Sequence, residues 1–474
     1  MSPCKNFDSM KPNISVILML AIMAASCEAL NQDPSTSVTT DTAITEVSDL
    51  VNAVDGAYYV ATYGTMMTVA SELSIYADLV GPDSYQPASS GQNASRLAQF
   101  SMTPADTYNA YFYLYAALAS VNNAIEKGLE LEDDAAAAPY MAELYAMRAL
   151  FHFHLATLFA PIPTSGSAND MGIVLSDRVF DIDYVGKRAS LEDTYQFMVD
   201  DLSKAIDSGL NKDKNAGHMN YWASLALRAR VNLYRGHYGS ALEDCQELID
   251  SSPYSLYTID EYTKVWSQEG ADEMLMEYLQ TDTYNAQRYA PGYYTSPKGY
   301  SEYGVSQEFY QWLQEDPADV RSLMVADYSI APAGEEDYNV GFYPLKYPGN
   351  AGASVATYVN NIKVIRLSEV YLIAAEAALK TGGDAAIYLN ALRANRISDY
   401  VDVDTVTIDD ILNERRKELF AEGQIAFDLW RNGVTITNGS FVTSSDSFRT
   451  VLPLPREEVD LAKGVLVQNP GYGN

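Results

Sequence analysis

Apolar residues recur at steps of three and four along much of this chain, the spacing that gathers side chains on one face of a helix. Leu144, Met147, Phe151, Leu155 and Leu158 follow it, and Pro161 and Pro163, which cannot continue a helix, stop it. Leu367, Val370, Tyr371, Ala374 and Ala378 repeat the spacing ahead of Gly382 and Gly383, a residue type suited to helix ends. Both helices are expected to be amphipathic and to need partners. Between Pro253 and Tyr358 the period fades into a stretch rich in Tyr, Gly and Pro, broken by one strand-like piece at Glu273 to Glu277. That stretch reads as long loops and short elements laid over a helical scaffold, where binding sites commonly sit.

The segment from Tyr221 to Leu256 carries more detail. Ala229 and Ala241 are small at helix-crossing points, Gly236 breaks the chain, Tyr238 follows two residues later and Pro253 closes the unit. These offsets match the tetratricopeptide pattern of two antiparallel helices. Further helix pairs near residues 105–160, 190–250 and 360–395 predict a mostly α fold in which such units stack side by side.

At the N-terminus Lys5 and Lys11 precede an apolar run from Ile14 to Ala25, too short to span a bilayer, and Ala24, Ala25 and Ser26 lead into Cys27. This is the layout of a bacterial lipoprotein signal, with residues 1–26 removed and Cys27 lipidated. An ordinary secretory signal with an incidental Cys is the alternative. Glu28 and Asp33 follow closely, as in surface-export tags. Beyond this run no apolar stretch is long enough to cross a membrane. The net charge of −32 repels phosphate backbones, so nucleic-acid binding is disfavoured. Three scattered cysteines, Cys4, Cys27 and Cys245, support neither a disulfide framework nor a zinc site. Tyrosines number 36 against 14 Phe and 4 Trp, which supplies many rings with a polar tip, although helix packing accounts for most of them.

Ordered motifs then narrow the reading. Leu30-Asn31-Gln32-Asp33-Pro34 comes first, then the Asn122-Asn123 pair, Arg148-Ala149 and the Phe159-Ala160-Pro161-Ile162-Pro163 turn. Arg366 to Leu372 with Ala375-Glu376, Leu389-Asn390 with Arg393, Glu414 to Leu419, Glu422-Gly423 and Asp428-Leu429-Trp430-Arg431 follow. Leu452-Pro453-Leu454-Pro455 and Gln468 to Tyr472 close the series. In this order the chain resembles the SusD/RagB family of outer-membrane lipoproteins, with Gln424-Ile425-Ala426 a local departure from the family pattern. The resemblance implies a mostly α, SusD-like scaffold of tetratricopeptide-like helix pairs with long irregular loops. It implies an N-terminal region over 27–250 and a C-terminal RagB/SusD region with variable ligand loops over 251–474. It further implies a lipid-anchored protein facing the cell exterior, which captures an oligosaccharide for a SusC-like TonB-dependent transporter. Some relatives handle peptides instead.

Candidate chemistry follows from residue types. Glu414, Glu418 and Glu422 recur on one helix face with Arg415 and Arg416 among them and invite a hydrolase reading, but the resemblance implies that they form a structural ion-pair network joining the C-terminal helices to the core. His152 and His154 are two apart on a helix and point to different faces, and His218 and His237 lack a further ligand at metal spacing. No metal, cofactor or catalytic residue is expected. Sugar recognition combines aromatic faces with carboxylate, amide and guanidinium groups. Two loop stretches offer that mix: Tyr76, Asp78, Tyr85, Asn93 and Arg96 in the first, and Arg288, Tyr289, Tyr293, Tyr294 and Tyr300 in the second. Trp222, Trp266, Trp312 and Trp430 are expected in the core, and this scarcity of free Trp leaves a peptide ligand open. A scaffold that binds only its partner protein is the remaining alternative.

Overall fold

Helical periodicity becomes antiparallel helices through most of the first half of the chain. The computed structural model describes residues 43–64, 66–131, 134–331, 334 and 338–473; the expected signal segment, Cys27 and the residue 30–34 motif lie outside them. Helices α1 (Val47–Thr62), α2 (Tyr108–Gly128), α3 (Ala138–Phe159), α4 (Leu191–Asp207), α5 (Tyr221–Tyr234) and α6 (Tyr238–Ser251) pack each against its neighbours. Side-chain caps start two of them: Ser190 accepts from the Asp193 amide and Asn220 from the Ala223 amide. The α5–α6 pair turns at Gly236, whose φ is +76°, as its tetratricopeptide-like spacing predicts.

One expectation was too narrow. Helix α3 is not amphipathic: every residue from Met141 to Phe159 except His154 is buried. It runs through the middle of the stack, with α1, α2 and α4 packed around it, and Ala142, Ala146, Ala149 and Ala156 let them approach. Its buried polar groups are therefore paired. Arg148 donates Nε and Nη2 to the two carboxylate oxygens of Asp201 on α4 at 2.7 Å and Nη1 to Asn122 Oδ1 on α2 at 3.0 Å. Arg148 and Asn122, two of the motif residues, thus bolt three helices together.

The second half adds α7 (Gln307–Gln314), α8 (Leu367–Thr381), α9 (Ala386–Ala394), α10 (Ile408–Leu419) and α11 (Ile425–Arg431). Helix α8 packs against α6, so the helical stack continues past residue 250. Between α6 and α8 the chain forms short strands, one of which pairs with an earlier strand that precedes α2. Strands β1 (Ser84–Tyr85), β3 (Gly304–Val305), β4 (Val325–Tyr328) and β5 (Gly341–Pro344) make an antiparallel sheet of order β1-β3-β5-β4, while β2 (Met274–Tyr278) pairs with β6 (Ile362–Arg366). A hairpin, β7 (Ile436–Asn438) and β8 (Phe441–Thr443), follows α11.

The helix expected to carry Glu414, Glu418 and Glu422 on one face ends at Leu419, so Glu422 lies in the turn beyond α10, yet all three are locked into one buried network. Glu418 meets Arg396 at 2.9 Å, Arg366 at 3.0 Å and Arg321 at 3.3 Å. Glu422 meets Lys346 at 2.6 Å and Arg366 at 2.7 Å, and Glu414 meets Arg321 and Arg393, each at 2.6 Å. Burial alone would raise the Glu418 carboxyl, but the Arg396 and Arg366 guanidinium groups hold it below the usual carboxylate range. Trp222, Trp266 and Trp430 are in the core as expected. Trp312 is only half-buried, because its ring serves as a platform for Arg416 and Lys417, 4.8 and 4.7 Å from its centroid.

Candidate functional site

The two loop stretches meet although they lie far apart along the chain. Pairing of β1 with β3 sets Ser84 opposite Val305 and Tyr85 opposite Gly304. Beside this pairing the buried Glu302 carboxylate accepts from Gln86 Nε2 at 2.5 Å, Asn93 N at 2.8 Å, Asn93 Nδ2 at 3.1 Å and Ala94 N at 3.2 Å. The Gly91 amide donates to the Tyr300 carbonyl at 2.7 Å. One carboxylate thus gathers the tip of the first loop onto the base of the second.

On that base the tyrosines form a cluster. The Tyr293 ring stands edge-on to Tyr300 at 4.9 Å and to Tyr358 at 5.5 Å between centroids, and Tyr289 lies 6.1 Å from Tyr300. All four are half-buried, so part of each ring faces solvent. The exposed Arg288 reaches over them, with its Nε 3.4 Å from Tyr358 Oη. Gly299 makes this packing feasible, since a Cβ there would stand 2.0 Å from the Tyr293 carbonyl oxygen, which accepts from the Tyr300 amide at 3.0 Å. Edge-to-face contacts hold the rings in place before any ligand arrives.

Five of the expected residues, Asn93, Arg288, Tyr289, Tyr293 and Tyr300, therefore gather at one surface. Tyr85 sits at its side, its ring against Gly304 and Gly341. Arg96 is exposed but bound to Asp106 through Nη1, at 2.6 and 2.7 Å to the two oxygens. Three residues do not reach the surface. Tyr76 is buried edge-on against Phe427, and Tyr294 lies fully buried beneath Tyr289 and Tyr300. Asp78 is buried and accepts from the Gly423 and Ile425 amides at the start of α11; desolvation pushes its carboxyl up to about 8 against those two bonds. They position the loops from below, because the helical turn Tyr76–Leu79 is packed on α11. Sequence reasoning missed Tyr358, which nothing local distinguishes from other loop tyrosines, and the clamp Glu302, whose only signal was its place inside the Tyr-rich stretch.

Among the described residues no group of three or more His, Cys, Asp or Glu side chains could hold a metal ion. His152 is buried, its Nδ1 2.8 Å from the Arg148 carbonyl and its Nε2 accepting from the Ser176 amide at 3.0 Å. Desolvation lowers it and His154 to about 3, so both are neutral packing groups. A wider hollow of about 570 Å³ opens elsewhere, between α2 and the 180–186 loop, lined mainly by Tyr115, Val174, Phe180, Tyr184 and Leu461. None of the expected site residues lines it.

Helix pairs overlaid by short strands and long loops are also the arrangement of known proteins to which this chain is similar. A sequence profile of the SusD family matches residues 177–443, and one described as starch-binding and associating with the outer membrane matches residues 30–233. A SusD-like protein of Formosa agariphila is 23% identical over 98% of this chain and 99% of its own length. A SusD superfamily protein of Bacteroides thetaiotaomicron superposes with a TM-score of 0.82 at 29% identity, over 90% of this chain and all of that one. A laminarin-binding SusD-like protein superposes at 0.73 with 22% identity, over 90% and 99% of the two chains. The chain belongs to the SusD family.

Proposed function

We propose that this chain is a cell-surface glycan-binding lipoprotein, anchored through Cys27, that captures an oligosaccharide and delivers it to a SusC-like TonB-dependent transporter. The observation that carries the reading is the half-exposed Tyr289–Tyr293–Tyr300–Tyr358 cluster, flanked by the Arg288 guanidinium and the Asn93 amide. Fixed rings offer apolar faces to a sugar, and the polar groups reach its hydroxyls. The laminarin-binding relative supports a sugar as the ligand. A binding role rather than a catalytic one is supported by Glu414, Glu418 and Glu422: the carboxylates that invite hydrolysis are each buried in ion pairs with arginine or lysine.

The test is calorimetric titration of residues 28–474 with plant, host and microbial glycans, and with mixed oligopeptides in a parallel arm. Saturable glycan binding that is lost in a Tyr293→Ala, Tyr300→Ala double variant is expected. Binding of peptides alone selects the peptide-capture alternative, and binding of neither leaves a scaffold subunit. Loss of membrane association in Cys27→Ala and co-purification with a transporter test the remaining two parts.

A further inference from the structure

A second aromatic surface begins four residues before Arg288. Tyr284 stacks on Tyr59 of α1, centroids 4.3 Å apart and planes at 29°. Tyr59 meets Tyr63 at 5.4 Å, Tyr63 meets Tyr113 of α2 at 5.7 Å, Tyr113 meets Phe112 at 5.3 Å and Phe112 stacks on Tyr108 at 5.4 Å. Tyr59, Tyr63, Phe112 and Tyr108 are each 40% or more exposed. An unbroken run of six rings at a surface is unusual, since contiguous exposed apolar area costs free energy and marks an interaction site.

The run is built. Tyr284 Oη donates to the Tyr59 carbonyl at 2.6 Å and lies 2.8 Å from Thr62 Oγ1, which pins the first stack. Gly64, at φ +101°, ends α1 so that the Tyr113 ring can close in; a Cβ there would stand 3.2 Å from it. At the Tyr284 end the rings border a cleft of about 170 Å³ lined by Asp55, Thr62 and His218. His218 Nδ1 is 2.9 Å from Glu143 Oε1, which also accepts from Tyr58 Oη at 2.8 Å, while the Asp55 carboxylate stays largely exposed.

We infer that this stripe is a second sugar-binding surface, which takes a neutral glycan chain continuing from the Tyr293–Tyr300–Tyr358 cluster; it rests on the glycan-capture reading. Three features choose that occupant. Tyrosine tips make the stripe compatible with a hydrated polyol, and the cleft beside it supplies a carboxylate, a hydroxyl and an imidazole for hydroxyl groups. Neither lysine nor arginine lines the cleft among the described residues, and the exposed Asp55 carboxylate would repel an anionic chain. Three residues separate Tyr284 from Arg288, so their Cα atoms are at most about 14 Å apart, within reach of a short oligosaccharide.

The experiment is calorimetric titration of the protein with laminarin, starch, xylan and mannan, and with a disaccharide-to-octasaccharide ladder of whichever binds. In Tyr59→Ala, Tyr63→Ala and in Asp55→Ala, the short sugars should bind as to wild type. Affinity for the polymer should fall by about tenfold or more, as when one of two linked contacts is removed. Should a variant melt early, ring NMR signals of Tyr59 and Tyr63 in the wild-type complex decide, and unshifted signals at saturation overturn the inference. Unchanged polymer affinity, with binding lost in Tyr293→Ala, Tyr300→Ala, overturns the stripe alone and assigns it to contact with a protein. Failure of wild type to bind any of the glycans overturns both readings.

Discussion

Glu418 and Arg366 lie 3.0 Å apart with neither side chain reaching solvent, and Glu418 also receives Arg396 and Arg321. Removing the carboxylate would leave three guanidinium groups buried with less compensation. Glu418→Gln should therefore destabilise the protein by about 3–5 kcal/mol, the usual cost of breaking a buried pair. Equilibrium urea unfolding checks it.

Acid should act on this network and on a second buried one, in which Arg431 meets Glu376 and Asp428 and Arg415 meets Asp428. The Glu418, Glu422, Asp428 and Glu376 carboxyls are all held below their ordinary values by neighbouring arginines, against the opposing pull of burial. Groups depressed in the fold contribute stability that is present above the unfolded carboxylate value and is lost as pH falls through the folded one. Stability should thus drop steeply below pH 4.5, the ordinary glutamate value, and Glu418→Gln should flatten that dependence. Denaturation midpoints measured across the acid range test this.

His218 should titrate in the opposite sense. Its hydrogen bond to Glu143 raises its pKa despite partial burial, and Asp55 adds to the effect. A raised imidazole contributes stability that is complete below its unfolded value and is lost as pH rises through the folded one. NMR titration should place the His218 midpoint above 6.5, and Glu143→Gln should lower it.

Glu302 gives a prediction about the proposed glycan surface. In Glu302→Ala the Asn93 and Ala94 amides lose their acceptor, at about 1–3 kcal/mol for buried donors left unmade. Hydrogen exchange at those two amides should accelerate, and glycan affinity should fall although Glu302 is buried beneath the surface.

Gly299→Ala should be as harmful as a ring deletion. The added methyl would meet the Tyr293 carbonyl at 2.0 Å, so the loop must shift, at about 1–3 kcal/mol for overpacking. A lower melting temperature together with weakened glycan binding is the expected result.

Local pattern carried much of the scaffold into view: the α5–α6 pair and the stop after Phe159 follow from spacing and end signals, while the charge network around Glu418 was legible only through the family resemblance. What spacing could not convey is which side of a residue meets another element. Leu144 to Leu158 look one-faced in sequence, yet α3 is surrounded, because three other helices supply partners to its remaining faces. The loops were less legible for the same reason. Tyr293 and Tyr294 are adjacent and alike, but a helical turn sends one ring toward solvent and the other into the core. Tyr358 joins them only through tertiary packing.

The Glu302 clamp also sets an order of events during folding. Its bonds to Gln86 and Asn93 close loops of 216 and 209 residues, and Tyr358 must emerge before the ring cluster can be completed. Contacts so distant along the chain form slowly. If this surface is the proposed glycan site, competence to bind is then among the last properties the polypeptide acquires, after the helical pairs have already assembled from neighbouring segments. A nascent or half-threaded chain would carry the scaffold's helices without the surface that gives them a purpose.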